Sequence, residues 1–253
     1  MPDINTYTAL QSLNKEIKHC RRCRLWEQRT HAIVGEGNIH ARIFLIAQAP
    51  GEKEDKEGCM FVGPTGDIIN QLFDNVHIKR SDVYMTNLIK CMLPKNRKPK
   101  QDEINACSRF LDAEIDIINP EIIVPMGYQA TKYVFKKYGH PDNIPEQTAG
   151  KLFYRDGHKI YPIHHPSSVL YHPDYKETLS THFRKLDVFS QPCKWYPTCP
   201  MHHFTDLGKL DKKWTETFCK GDWESCVRYQ KEEAGIFHPD NMLPDGNIDK
   251  SLM

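Results

Sequence analysis

Long apolar runs are missing from this chain. The longest, such as Ile43-Phe44-Leu45-Ile46-Ala47, fall far short of the ~20 residues that span a bilayer. Net charge is nearly absent too: 34 Lys and Arg against 33 Asp and Glu leave +1. That excludes a histone-like blanket of positive charge, though not a local basic patch of the kind nucleic-acid enzymes use. The opening residues Met1-Pro2-Asp3-Ile4-Asn5 lack a charged segment followed by an apolar stretch, so no secretory signal is visible. No repeats or low-complexity tracts occur. The expectation is a soluble, cytoplasmic protein with no membrane partner. At 39% hydrophobic and 26% charged residues it can bury a real core. Its 253 residues predict one good-sized domain with an appendage, or two small ones.

Cysteine, by contrast, is abundant, with nine in the chain. Without an export signal a disulfide framework is disfavoured, and metal or cluster ligation becomes the leading reading.

The patterning predicts strands alternating with helices. Leu10, Leu13 and Ile17 have helical spacing and lead to Cys20. Ile43–Ala47 reads as a strand covered on both faces. Ile68, Ile69, Leu72, Phe73 and Val76 mark a helix with Thr65 or Asp67 as caps. Strands are predicted over Val83–Ile89 and Glu121–Val124, and helices over Asp102–Asn119, Tyr128–Lys137 and Glu177–Phe189. A hairpin of Leu152–Tyr154 and Lys159–Ile163 turns at Asp156-Gly157. This order predicts an α/β fold, a three-layer α/β/α sandwich with a central, mainly parallel sheet. Ligands in such sheets sit at the carboxyl ends of strands, which directs attention to the loops after Ala47, Ile89 and Ile163. Composition shifts after Ser190, so the domains are read as 1–190 and a small cysteine-rich segment, 191–253.

Cys20-Arg21-Arg22-Cys23 places two thiols within one turn, and Cys91 and Cys107 follow on the far side of the first βαβ unit. Buried structural thiols, a redox pair, a zinc half-site and an iron–sulfur site all fit this spacing. Other segments narrow the choice: Arg29-Thr30 with Val34-Gly35-Glu36-Gly37, Ala47 to Asp55 with Phe61-Val62-Gly63-Pro64-Thr65-Gly66, Asp82 to Cys91, Asn96-Arg97-Lys98-Pro99 with Glu103-Ile104, and His165-Pro166-Ser167-Ser168-Val169-Leu170. These ordered motifs, with the four cysteines, resemble the family 4 uracil-DNA glycosylases over roughly residues 10 to 190.

The resemblance implies a uracil-DNA glycosylase-like fold, a 4Fe–4S cluster on Cys20, Cys23, Cys91 and Cys107, and hydrolytic excision of uracil from DNA in base excision repair. The partner is uracil-containing DNA, and the protein is expected to act as a monomer. Phe61 is expected to stack the extruded base. Asn87, whose amide offers both a donor and an acceptor, suits O4 and N3–H of uracil, and Ala49 also belongs to the uracil-binding set. His165, rather than the adjacent His164, is expected to stabilise charge developing on uracil O2. Arg97 and Lys98, in a basic stretch from Lys90 to Lys100, together with Ser167 and Ser168, are expected to contact phosphates. Leu170 or Tyr171 is expected to wedge into the duplex.

Two residues depart from the family pattern. Gln48 stands where the family usually has a water-activating glutamate, and Gln cannot take a proton at neutral pH. It therefore either only positions water, or Glu54 or Asp55 supplies the carboxylate, or the protein binds deaminated DNA with little turnover. Met60 stands where the family commonly has proline. No histidine lies between Asn87 and Cys107, so the covalent uracil trap of the crosslinking relatives is not expected.

In the last segment Cys193, Cys199, Cys219 and Cys226 are interleaved with Trp195, Trp214 and Trp223, with His202 and His203 nearby. A short segment that lacks a core and holds four thiols is a candidate for a second metal, zinc or iron–sulfur. Thiols packed on the tryptophans are the rival reading.

Overall fold

The computed structural model describes residues 4–139 and 148–252. The chain divides into two compact units, Met1–Phe183 and Arg184–Met253. This division and the expected boundary at 190 both fall on the same helix.

The first unit is built on a six-stranded mixed sheet of order β1-β3-β2-β4-β6-β5. Its strands are β1 (Glu36–Gly37), β2 (Ile43–Ala47), β3 (Val83–Asn87), β4 (Ile122–Pro125), β5 (Phe153–Arg155) and β6 (His158–Ile160). The central β3-β2-β4-β6 pairings are parallel, with Ile43 opposite Val83 and Ile122. Only the edge strands β1 and β5 run antiparallel. Helices α1 (Ile4–Lys18), α2 (Glu52–Glu57), α3 (Pro64–Phe73), α4 (Gln101–Ile118), α5 (Tyr128–Lys137), α6 (Ser168–Tyr171) and α7 (Tyr175–Ser190) follow in order.

Strand alternation explains the two covered faces. Phe44, Ile46, Tyr84, Ile123 and Ile160 share one core with Leu13 and Ile17 of α1, Phe110 and Ile115 of α4, and Val134 of α5. The intervening residues Ile43, Leu45, Val83, Met85, Ile122 and Val124 are equally buried and point to the opposite face. There α3 meets α7 through an edge-on Phe73–Phe183 contact at 5.3 Å between ring centroids. No described helix is long and apolar enough to cross a membrane.

Two local expectations need correction. Helix α3 is capped by neither Thr65 nor Asp67. Gly63 is its N-cap and Pro64 its first residue, a position where the missing proline N–H has no partner to lose. Strand β3 ends at Asn87 rather than Ile89, because Leu88 and Ile89 donate their N–H groups to Ala47 and Gln48 as the chain leaves the ladder. Asn87 is thereby left at the carboxyl end of its strand.

Lys90 corrects a third. Expected as part of a phosphate-facing basic run, it is 1% exposed. Its Nζ donates to Glu114 Oε2 and Thr86 Oγ1, each at 2.5 Å. Glu114 is itself wholly buried and also accepts the Gly35 N–H. Removing one member of such a pair strands the other charge away from water. Lys90→Met is therefore expected to destabilise the fold by about 3–5 kcal/mol, read as a lowered urea midpoint.

The second unit holds the short helices α8 (Pro200–Asp206), α9 (Lys212–Trp214) and α10 (Val227–Glu233). Its apolar cluster is small: Met201, Leu210, Cys219 and Leu252, flanked by residues such as Phe204 and Trp214. Buried Arg228 ties its end together, its Nη1 donating to the carbonyls of Pro239, Asp240 and Met242.

Candidate active site

A cleft of about 460 Å³ opens at the carboxyl ends of the parallel strands. Gln48 and Ala49 enter it from the loop after β2, Asn87 from the end of β3, and His165 from the loop after β6, with Phe61 and Glu54 along the same wall. Residues far apart in sequence meet there because parallel strands all end on one side of the sheet.

The Phe61 wall is held in an unusual backbone conformation. Phe61 has φ +52, a left-handed geometry that costs a non-glycine residue of order 1–3 kcal/mol and persists only where the surroundings enforce it. Several contacts do so. Met60 donates its N–H to Glu36 Oε1 at 3.1 Å, and its carbonyl accepts from Arg80 Nη2 at 2.8 Å. Glu54 Oε1 accepts the Gly63 N–H at 2.9 Å. A Cβ on Gly66 would sit 1.8 Å from the Phe61 carbonyl oxygen, so α3 packs against this loop only with glycine there.

Asn87 is 2% exposed, and its Nδ2 donates to Met60 Sδ at 3.0 Å. A thioether sulfur accepts but cannot donate. It therefore holds the NH₂ half of the amide toward itself, which fixes which way round Asn87 presents donor and acceptor.

His165 has its ring fixed by Ser167. The Ser167 N–H donates to Nδ1 at 3.2 Å, and the Ser167 Oγ lies 2.7 Å from the same nitrogen. With Nδ1 accepting, the proton resides on Nε2. Burial pulls the imidazole pKa down to about 4, so at neutral pH the ring is uncharged. Gly127 (φ +80) makes this placement possible, since a Cβ there would meet the His165 Cβ at 3.1 Å.

The remaining expected residues divide. Asp55 does not line the cleft. Its carboxylate accepts the N–H groups of Thr30 and His31, which corrects the expectation that it could supply the catalytic carboxylate and leaves Glu54 as the acid in the cleft. Ser167 lies in the cleft against His165, whereas the Ser168 hydroxyl is buried with no hydrogen-bond partner among the described residues, out of reach of a phosphate. Arg97 is forked onto buried Glu103, with Nη1 at 2.8 Å and Nη2 at 2.6 Å, so its charge is spent on holding its own loop. Lys98 is exposed, as are Lys95 and Lys100. Leu170 and Tyr171 are exposed at the rim.

Asn96, Tyr128 and Gln129 also line the cleft and were not anticipated. Tyr128 and Gln129 follow β4, whose carboxyl end opens on the same side as the others. The strand-end rule reaches that loop as well.

Cys20, Cys23, Cys91 and Cys107 line a separate small recess. Arg29 Nη1 donates to Cys91 Sγ at 3.1 Å, and the Lys90 N–H donates to Cys107 Sγ at 3.2 Å. Among the described residues, no three His, Cys, Asp or Glu side chains are grouped to hold a single metal ion. Four thiols around one recess, two of them with donors aimed at their sulfurs, fit a cluster that spreads its ligands over several irons.

Comparison with known proteins agrees with this geometry. The profile of the Uracil DNA glycosylase superfamily matches residues 34–186. The type-4 uracil-DNA glycosylase of Sulfurisphaera tokodaii is 40% identical over 211 residues, 81% of this chain and 94% of that protein. The type-4 enzyme of Saccharolobus solfataricus is 40% identical over 182 residues, 70% of this chain and 84% of its own length. That of Thermotoga maritima is 39% identical over 161 residues, 64% and 83% respectively. With the cleft, the fold and these matches in agreement, the chain belongs to the uracil DNA glycosylase superfamily, alongside its type-4 members.

Proposed function

We propose that this protein excises uracil from DNA by hydrolysing the N-glycosidic bond, leaving an abasic site, and that it does so as a monomer in the cytoplasm. The convergence of Phe61, Asn87 and His165 on one cleft is the observation that carries the reading. An extruded uracil stacks on Phe61, and its O4 and N3–H meet the donor and acceptor of Asn87. The Nε2–H of His165 stabilises the negative charge that grows on O2 as the bond breaks. The exposed Lys95, Lys98 and Lys100 supply phosphate contacts, and Leu170 or Tyr171 fills the space the base vacates.

Gln48 faces the cleft with no side-chain hydrogen bond to another described residue, so it is free to position the attacking water. It accepts from water but cannot remove its proton, and catalysis then leans on the departing base. Gln48→Glu is expected to raise the rate by roughly 10–100-fold, the low end of what a positioned base contributes. An unchanged rate, with activity lost in Glu54→Gln, assigns the carboxylate to Glu54 instead.

Met60 sets base choice through Asn87. A flipped amide would offer its NH₂ to N3 and its oxygen to N4–H₂, the pattern of cytosine. Met60→Leu conserves volume, which costs under about 1.5 kcal/mol, but removes the sulfur acceptor. It is expected to lower the preference for uracil over cytosine by about tenfold, the worth of one hydrogen bond, measured as the ratio of excision rates.

Cys20, Cys23, Cys91 and Cys107 hold a 4Fe–4S cluster in this reading. It would cross-link the segment after α1, the loop after β3, and α4, beside the 94–100 loop that Arg97 and Glu103 order.

The test is incubation of the full chain with single- and double-stranded oligonucleotides bearing one uracil, followed by alkali. Strand breaks at the uracil position are expected. Tight retention of the oligonucleotide without breaks overturns catalysis and favours a protein that binds deaminated DNA, the alternative that Gln48 raises.

A further inference from the structure

Cys193, Cys199, Cys219 and Cys226 have irregular gaps in sequence, yet the fold brings all four to line one pocket of about 80 Å³. The Cys193 N–H donates to the Cys219 carbonyl at 2.7 Å, which ties two of the thiol-bearing segments together. Arg228, Trp195 and Trp223 line the same space, so a guanidinium and aromatic rings stand beside the thiols, as they do around a thiolate-ligated group. Besides the Arg228 contacts, the apolar cluster of this unit is small: among the described residues it contains four buried side chains, one of them Cys219. A segment so short of core depends on a staple.

Four cysteines offer thiolates alone, a donor set that iron–sulfur clusters and zinc share. Among the described residues no three His, Cys, Asp or Glu side chains are grouped to hold a single metal ion, and the first quartet, Cys20, Cys23, Cys91 and Cys107, lines its own recess in the same way. Of the nearby histidines, His202 Nε2 lies 3.2 Å from Asp206 and His238 Nε2 lies 3.0 Å from Glu232, so each faces a carboxylate. We propose that Cys193, Cys199, Cys219 and Cys226 bind a second 4Fe–4S cluster, whose role is to fasten the Arg184–Met253 unit. This inference is independent of uracil excision.

Anaerobically purified full-length protein is expected to contain about eight iron and eight acid-labile sulfide per chain, from two such clusters. The Cys193→Ser/Cys219→Ser variant is expected to fall to half of each, with half the visible absorbance, while Cys20→Ser/Cys23→Ser keeps the other half. About four iron with one zinc in the wild type, or about four iron and no other metal, overturns the proposal. So does a tail variant that retains the full wild-type count. The wild-type count stands even where a variant loses its fold.

Discussion

His165→Ala is expected to lower uracil excision by roughly 10²–10³-fold, the loss seen when one donor to a developing oxyanion is removed, with oligonucleotide binding changed only a few-fold. The separation of rate from affinity follows from where the charge appears, since O2 becomes strongly negative only as the bond breaks. The donor is neutral: burial holds the pKa near 4, and the Ser167 N–H on Nδ1 leaves the proton on Nε2. The rate is therefore expected to pass level through pH 6.5, the ordinary histidine value, and to fall as pH drops toward 4, where a proton on Nδ1 displaces the Ser167 contact. The sign for stability is the same. Between 6.5 and 4 the unfolded chain takes up a proton that the folded ring refuses, so stability is complete above 6.5 and is lost as pH falls through that window. A pH–rate profile that titrates near 6.5 would contradict this assignment.

Asn87→Ala carries the second large effect. It removes both hydrogen bonds to the base edge and leaves O4 and N3–H of uracil unpaired in a closed site. At about 1–3 kcal/mol for each unpaired buried group, excision is expected to drop by roughly 10²–10⁴-fold, measured as single-turnover rates. The fold is expected to tolerate the change, because among the described residues the side-chain partner left behind is the Met60 sulfur, a weak acceptor that is cheap to leave alone. Wild-type excision by Asn87→Ala would remove this residue from base reading.

The fold was legible because its signals are local. The unalternating apolar run of β2, the helical spacing of Leu10, Leu13 and Ile17, and the Asp156-Gly157 turn each report their own neighbourhood. The core of the site was legible through motif resemblance and through the rule that ligands gather at strand ends. What escaped depends on contacts distant in sequence. A lysine beside Cys91 looks like a phosphate ligand until Glu114, 24 residues away, is seen to bury it. The same holds for Arg97 with Glu103, and for Asp55, whose partners Thr30 and His31 precede it by 25 and 24 residues. The Met60–Asn87 contact, which orients the base-reading amide, joins a loop to a strand end and leaves no mark on either segment. Ser167 is the intermediate case: it was expected to contact phosphate, whereas its place against His165, where it fixes the tautomer, needed the geometry.

The most direct test of the account is a crystal of the wild-type protein soaked in free uracil. The ring is expected to lie against Phe61, with O4 within hydrogen-bonding distance of Asn87 Nδ2 and O2 facing His165 Nε2. Uracil bound elsewhere, or seated in the cleft with its edge turned away from Asn87, would contradict the central claim.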